Sequence, residues 1–96
     1  MNSTILTATI VSRDVIRSTP GGVAALNLKL LHQSVQTENG HPVEVEIQLN
    51  AIAFGEVATG LDSTRAGDAI SVKGFLSRKS RMSDAAVLHI TQFKLS

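Results

Sequence analysis

The chain has 96 residues, of which 43% are hydrophobic, 18% charged and 3% aromatic, with no Cys, no Trp and a net charge of +1. That length fits one small domain (residues 1–96) with a modest core and no deep two-lobed cleft. The missing cysteines exclude a disulfide framework, a thiolate nucleophile and a thiolate metal site. No apolar run approaches the roughly 18 residues of a membrane span. Met1-Asn2-Ser3-Thr4 lacks the basic start and apolar block of a secretory signal, so its glycosylation sequon reads as accidental and the protein as intracellular.

Thr4 to Arg13 alternates, with Leu6, Ala8 and Ile10 on one face and Ile5 and Val11 on the other. Its β-branched content favours a strand. Thr19-Pro20-Gly21-Gly22 is a turn, because Pro presets the first corner and Gly accepts the positive φ after it. Val23 to Val35 places Ala24, Leu26, Leu28 and Leu30 on one face of a long strand, although the leucines alone also suit a helix. Asn39-Gly40 is a hairpin signal. Val43, Val45, Ile47 and Leu49 then point to the core of a third strand, with Glu44, Glu46 and Gln48 in water. Past Asn50 the large apolar residues are Ile52 and Phe54, which predicts a phase slip and a bulge or bend.

Glu56 to Ser63 is the one predicted helix, with Val57, Ala58 and Leu61 at helical spacing and Gly60 weakening it by about 1 kcal/mol. Asp62-Ser63-Thr64 ends it. After a turn at Ala66-Gly67-Asp68, Ala69 to Ser77 is a fourth strand, in which Gly74 predicts a bend or a close backbone approach. A basic loop, Arg78-Lys79-Ser80-Arg81, leads to a last strand over Val87 to Leu95. That strand turns either Leu88 and Ile90 or Val87 and Phe93 inward. Five strands with one short helix between strands 3 and 4 is the layout of an all-β OB-fold, a five-stranded Greek-key barrel. Closure also protects strand edges. An SH3-like barrel is the main competitor and would not usually place a helix there.

Charge is uneven. Residues 1–37 carry Arg13, Arg17 and Lys29 against Asp14; residues 38–68 have a balance of −5; residues 69–96 have a balance of +4. A basic loop tip can bind phosphate locally, or be no more than a solvated loop. Catalysis has little support: there is no G-x-S-x-G elbow, no P-loop and no H-E-x-x-H. His32, His41 and His89 lack metal-ligand spacing, and His32 and His89 read as hydrogen-bonded structural histidines within strands. Glu44 and Glu46 share one solvated face, without the unequal surroundings that split a catalytic carboxylate pair. No catalytic residue, metal or cofactor is expected.

Ala53-Phe54-Gly55-Glu56-Val57-Ala58 and Ala66-Gly67-Asp68-Ala69-Ile70-Ser71-Val72-Lys73-Gly74-Phe75-Leu76 resemble the third strand, helix and fourth strand of bacterial single-stranded DNA-binding proteins. Arg17-Ser18-Thr19-Pro20-Gly21-Gly22 resembles their first hairpin. The stretch from Leu31 to Gly40, with Gly74-Phe75-Leu76-Ser77 and Val87-Leu88-His89, is similar to the primosomal replication protein N branch of that superfamily. The absence of a long acidic-tipped tail is in keeping with that branch.

The resemblance implies a cytoplasmic bacterial homodimer that binds single-stranded DNA without reading sequence. Its implied partners are the PriA restart helicase, the DnaT loader protein and the single-stranded DNA-binding protein, and its role is helicase reloading at stalled forks. It also implies a DNA path around the loop between the fourth and fifth strands, here Arg78, Lys79 and Arg81, with Arg17 matching a basic position of the first hairpin and Arg13 nearby. Where family members can carry a stacking Trp, this chain has Glu46, and His41 stands where an aromatic can sit. Phe54 and Phe93 are expected in the core, which leaves Phe75 as a platform, or else as a dimer or core residue. Binding is therefore expected to be mainly electrostatic. A protein-interaction OB adaptor with vestigial DNA binding, or a small housekeeping single-stranded DNA-binding protein, are the alternatives.

Overall fold

A computed structural model describes all residues, Met1–Ser96. Its strands are β1 (Thr4–Arg13), β2 (Arg17–Ser18), β3 (Ala24–Glu38), β4 (His41–Phe54), β5 (Ala69–Ser80) and β6 (Ser83–Leu95). The single helix, α1 (Glu56–Leu61), lies between β4 and β5. The hydrogen-bonded order is β1-β5-β6-β4-β3-β2, and β1 also pairs with β3. The five long strands thus close on themselves as an OB-fold barrel, with β4 and β6 parallel and the other pairs antiparallel. β2 is a two-residue addition to the edge of β3. No helix is long and apolar enough to cross a membrane.

The inward faces are those that alternation picked on β1 and β3. On β5 alternation puts Ile70, Val72, Gly74 and Leu76 on one face, of which the first three are buried and Leu76 is 40% exposed. Ile10, Leu26, Leu30, Leu61, Ile70 and Leu88 are almost wholly enclosed. Each such side chain contributes about 1.5–3 kcal/mol by leaving water. Leu28, Val72 and Ile90, with Ala8, Ala51, Ala53 and Ala58, complete the cluster. Thr64, the one buried polar residue, donates its hydroxyl to Leu61 O at 2.6 Å and closes the turn after α1.

Two glycines have conformational or packing reasons. Asn39 (φ 50°) and Gly40 (φ 77°) form a two-residue link with both residues left-handed, the turn that suits strand twist. At Gly74 a Cβ would overlap the carbonyl of His89 on the neighbouring strand. The β5–β6 register shifts at this place, from Lys73↔Gln92 to Gly74↔Ile90, so Thr91 is the extra residue of a bulge. The close approach expected there is present. The bulge also explains the two readings of β6: Leu88 and Ile90 are buried before it, and Phe93 packs on the core after it.

Three expectations are corrected. First, β4 has no phase slip: it pairs with β3 without interruption from Ala25↔Phe54 to Glu38↔His41. Ala51 and Ala53 continue the inward face of Val45 and Leu49, while Ile52 and Phe54 lie on the outer face. Size, not phase, changes at Asn50. Second, Val43 (38% exposed) and Ile47 (45%) are not core residues. The distal halves of β3 and β4 extend past the end of the β1 pairing at Thr9↔Leu31, as an arm with no sheet beneath it. Third, the basic segment is no free loop: Arg78, Lys79 and Ser80 belong to β5, and only Arg81-Met82 turn between the paired Ser80 and Ser83.

Candidate nucleic-acid interface

On β3 the side chains opposite Leu26, Leu28 and Leu30 are Asn27 and Lys29, which face outward. The register carries this outer face across the sheet: Lys29↔Asn50 and Asn27↔Ile52 join β3 to β4, Asn50↔Val87 and Ile52↔His89 join β4 to β6, and Phe75↔His89 joins β6 to β5. These residues, apart from Phe75, form the floor of a groove of about 670 Å³. One rim comes from the end of β1 and from β2, with Arg13, Asp14 and Arg17; the other comes from β5, with Arg78 and Lys79. Arg78 and Lys79 are adjacent and should point to opposite sides, but the register shift between Arg78 and Ser80 twists the strand there. Both residues line the groove.

The cations differ in their freedom. Arg13 is held: its guanidinium donates to Asp62 Oδ1 at 2.7 Å, to Asp62 O at 2.7 Å and to Leu61 O at 3.2 Å. This Arg13–Asp62 contact is the chain's one ion pair. Arg17, Lys29, Arg78 and Lys79 are exposed and have no carboxylate partner. Asp14 is the one acid among the lining residues. Arg81 lies at the hairpin tip, outside the groove.

The groove's aromatics also differ from the expectation. Phe54 is not in the core: it is 44% exposed and lines the groove. His89 is not a hydrogen-bonded structural residue. It lies between two phenyl rings, stacked on Phe75 at 4.8 Å and 15° and tilted to Phe54 at 6.1 Å and 34°. Phe75, 39% exposed, is the outer member of this row. His32 does behave as a structural histidine: its Nδ1–H donates to Thr7 O at 2.6 Å, and its Nε2 accepts from the Ser34 hydroxyl at 2.9 Å. Lys29, Asn27, Phe54 and His89 line the groove and were not among the site residues expected from the sequence. Their signal is parity, since each sits opposite a buried neighbour on its own strand.

The strand order, parallel β4–β6 closure and intervening helix define the OB-fold class. A model described as "another single-strand binding protein family" matches residues 2–92. The chain is 38% identical over 92 residues to replication restart protein PriB of Bordetella pertussis, covering 96% of this chain and 86% of that one. It is 32% identical over 94 residues to the PriB of Nitrosomonas europaea, covering 98% and 87%. A crystallographic PriB structure from Ralstonia solanacearum superposes with a TM-score of 0.90 at 34% identity, covering 99% and 97%. The chain belongs to the replication restart protein PriB family of the single-stranded DNA-binding protein superfamily.

Proposed function

We propose that this protein is a non-catalytic accessory factor of the replication-restart primosome that holds single-stranded DNA by its backbone. The observation that carries the reading is the groove: four unpaired cations, Arg17, Lys29, Arg78 and Lys79, line it together with the exposed ring of Phe54 and the half-buried ring of His89. Such a surface suits a flexible polyanion whose bases can stack. Arg81, at the hairpin tip, extends the cationic rim. Arg13 positions the rim through Asp62 and adds little free charge. Phe75 and Phe54 offer base-stacking faces in place of the aromatic that Glu46 replaces. In the bacterial cytoplasm the bound strand would be handed to the PriA helicase and DnaT for helicase reloading, alongside the single-stranded DNA-binding protein. Exposed Ile5 and Val11 on β1 suit a homodimer, in which a twin covers them.

The test is fluorescence anisotropy of a labelled oligo-dT at about 50 mM salt, a concentration that leaves electrostatic binding strong. The triple variant Arg78→Ala, Lys79→Ala, Arg81→Ala should bind at least about ten-fold more weakly while melting at the wild-type temperature. Equal binding by the two proteins removes the basic-hairpin assignment. One observation favours a second reading, as a protein-interaction adaptor: the β3–β4 arm exposes Val35, Val43 and Ile47 beside Glu38, Glu44 and Glu46. Capture of PriA or DnaT by a protein that binds no oligonucleotide would select that reading.

A further inference from the structure

On the arm, β4 has a strand on one side only. It pairs with β3 from Phe54 to His41, whereas on its other side β6 pairs only with Asn50, Ala51, Ile52 and Ala53. Asn50↔Val87 is the last of those pairs, and from Leu49 back to His41 no strand lies on that side. No turn or loop hydrogen bond reaches the backbone there either. Alternate residues of a strand direct their N–H and C=O groups to each side, so a row of donors and acceptors is left free along this edge. A bare edge of that kind is a template for a further strand. The side chains beside it are accessible: Glu44 and Glu46 are exposed on one face, while Val43 (38% exposed), half-buried Val45 and Ile47 (45%) lie on the other.

We propose that this free edge of β4 takes an extended segment of a partner protein, one that alternates basic and apolar residues, as an added strand. The proposal rests on the adaptor reading of the arm and leaves the groove free. Main-chain hydrogen bonds to the edge hold such a segment, and its alternate side chains set which segment is accepted. Residues opposite one another in a sheet share a face. The partner's basic residues therefore meet Glu44 and Glu46, and its apolar residues cover Val43, Val45 and Ile47. The same glutamates exclude the other candidates. A second copy added edge to edge, apolar face to apolar face, would set its own glutamates against these, and like charges across a ladder are destabilising. A polyanion is repelled. Charge thus reserves the edge for a cationic chain.

The experiment titrates the full chain into a labelled peptide of alternating lysine and valine, matched in length to the free edge. Two further peptides serve as comparisons: one with the same lysines and valines in separate blocks, and one alternating glutamate and valine. Wild type should bind the alternating lysine peptide in preference to both. The double variant Glu44→Lys, Glu46→Lys should bind it about ten-fold more weakly and should gain affinity for the glutamate peptide. Both changed positions are exposed, so its melting temperature and its oligo-dT binding should not fall. Hydrogen exchange measured by NMR should show the bound peptide protecting alternate β4 amides between Val43 and Leu49. Equal binding of the blocked peptide, no effect of the double variant, or no added protection overturns strand addition. Protection of those amides that rises with protein concentration and needs no peptide places a second copy there and also overturns it. Capture of PriA or DnaT undiminished in the double variant keeps the adaptor reading and removes this edge from it. Wild type that binds no peptide and captures neither protein removes both.

Discussion

Arg13 and Arg17 are four residues apart and carry the same charge, yet their surroundings give them different consequences. Arg13 closes the C-terminal end of α1 by donating to Leu61 O, Asp62 O and the Asp62 carboxylate. Cations at a helix C-terminus are stabilising. Arg13→Ala should cost about 1 kcal/mol, which a domain of this size shows as a melting-temperature drop of roughly 4–8 °C. Arg17→Ala should leave melting unchanged and weaken oligonucleotide binding. Phe54, 44% exposed, is a parallel case. On the proposed reading Phe54→Ala weakens oligo-dT binding by about ten-fold, within the usual range for one stacked base; unchanged binding would remove Phe54 from the interface. None of these distinctions was legible from residue type. Ion pairing between positions 13 and 62 depends on tertiary closure, and Phe54 looks like core until β4 is phased by its alanines.

Among the elements, the arm formed by distal β3 and β4 relies on polar bracing where it leaves the barrel. Gln36 Nε2 donates to Ser34 Oγ at 3.0 Å, the Ser34 hydroxyl donates to His32, and His32 donates to Thr7 O on β1. His32→Ala cuts this relay, so amides between Gln33 and Val45 should exchange markedly faster while barrel amides keep their protection. Hydrogen exchange measured by NMR checks this. Gly74→Ala should instead damage the barrel, because the added Cβ overlaps the His89 carbonyl and β6 must shift to make room. The expected loss is at least about 3 kcal/mol, read from denaturant melts. Most element positions were legible, because strand alternation and turn chemistry are local. The arm was not: Val43 and Ile47 carry a core-like pattern, and only the limited reach of β1 leaves that face uncovered. The extent of β5 was obscured for the opposite reason, since a run of basic residues reads as loop while cross-strand pairing to β6 extends it as sheet.

Across the whole molecule, six of the eight acids lie away from the groove cations, the exceptions being Asp14 on the groove rim and Asp84 at the start of β6. Glu38, Glu44 and Glu46 lie on the arm and Glu56, Asp62 and Asp68 around α1 and its following turns, whereas Arg17, Lys29, Arg78 and Lys79 border the groove. Along the outer face of β4 the sequence runs from Glu44 and Glu46 to Asn50, Ile52 and Phe54. On the proposed reading a polyanion therefore crosses the strands at the groove and does not follow β4 onto the arm. That segregation was visible in sequence only as opposing blocks of charge; which cations would converge depended on the closed register. The most direct measurement of the central claim is oligo-dT affinity over a salt series. Single-strand binding loses roughly 0.7 log units of affinity per log unit of salt for each phosphate neutralised. Four groove cations thus predict a slope near −3 for each chain's site, and Arg78→Ala with Lys79→Ala should bring it about halfway to zero. Binding that ignores salt, or a slope that the double variant leaves unchanged, would contradict the account.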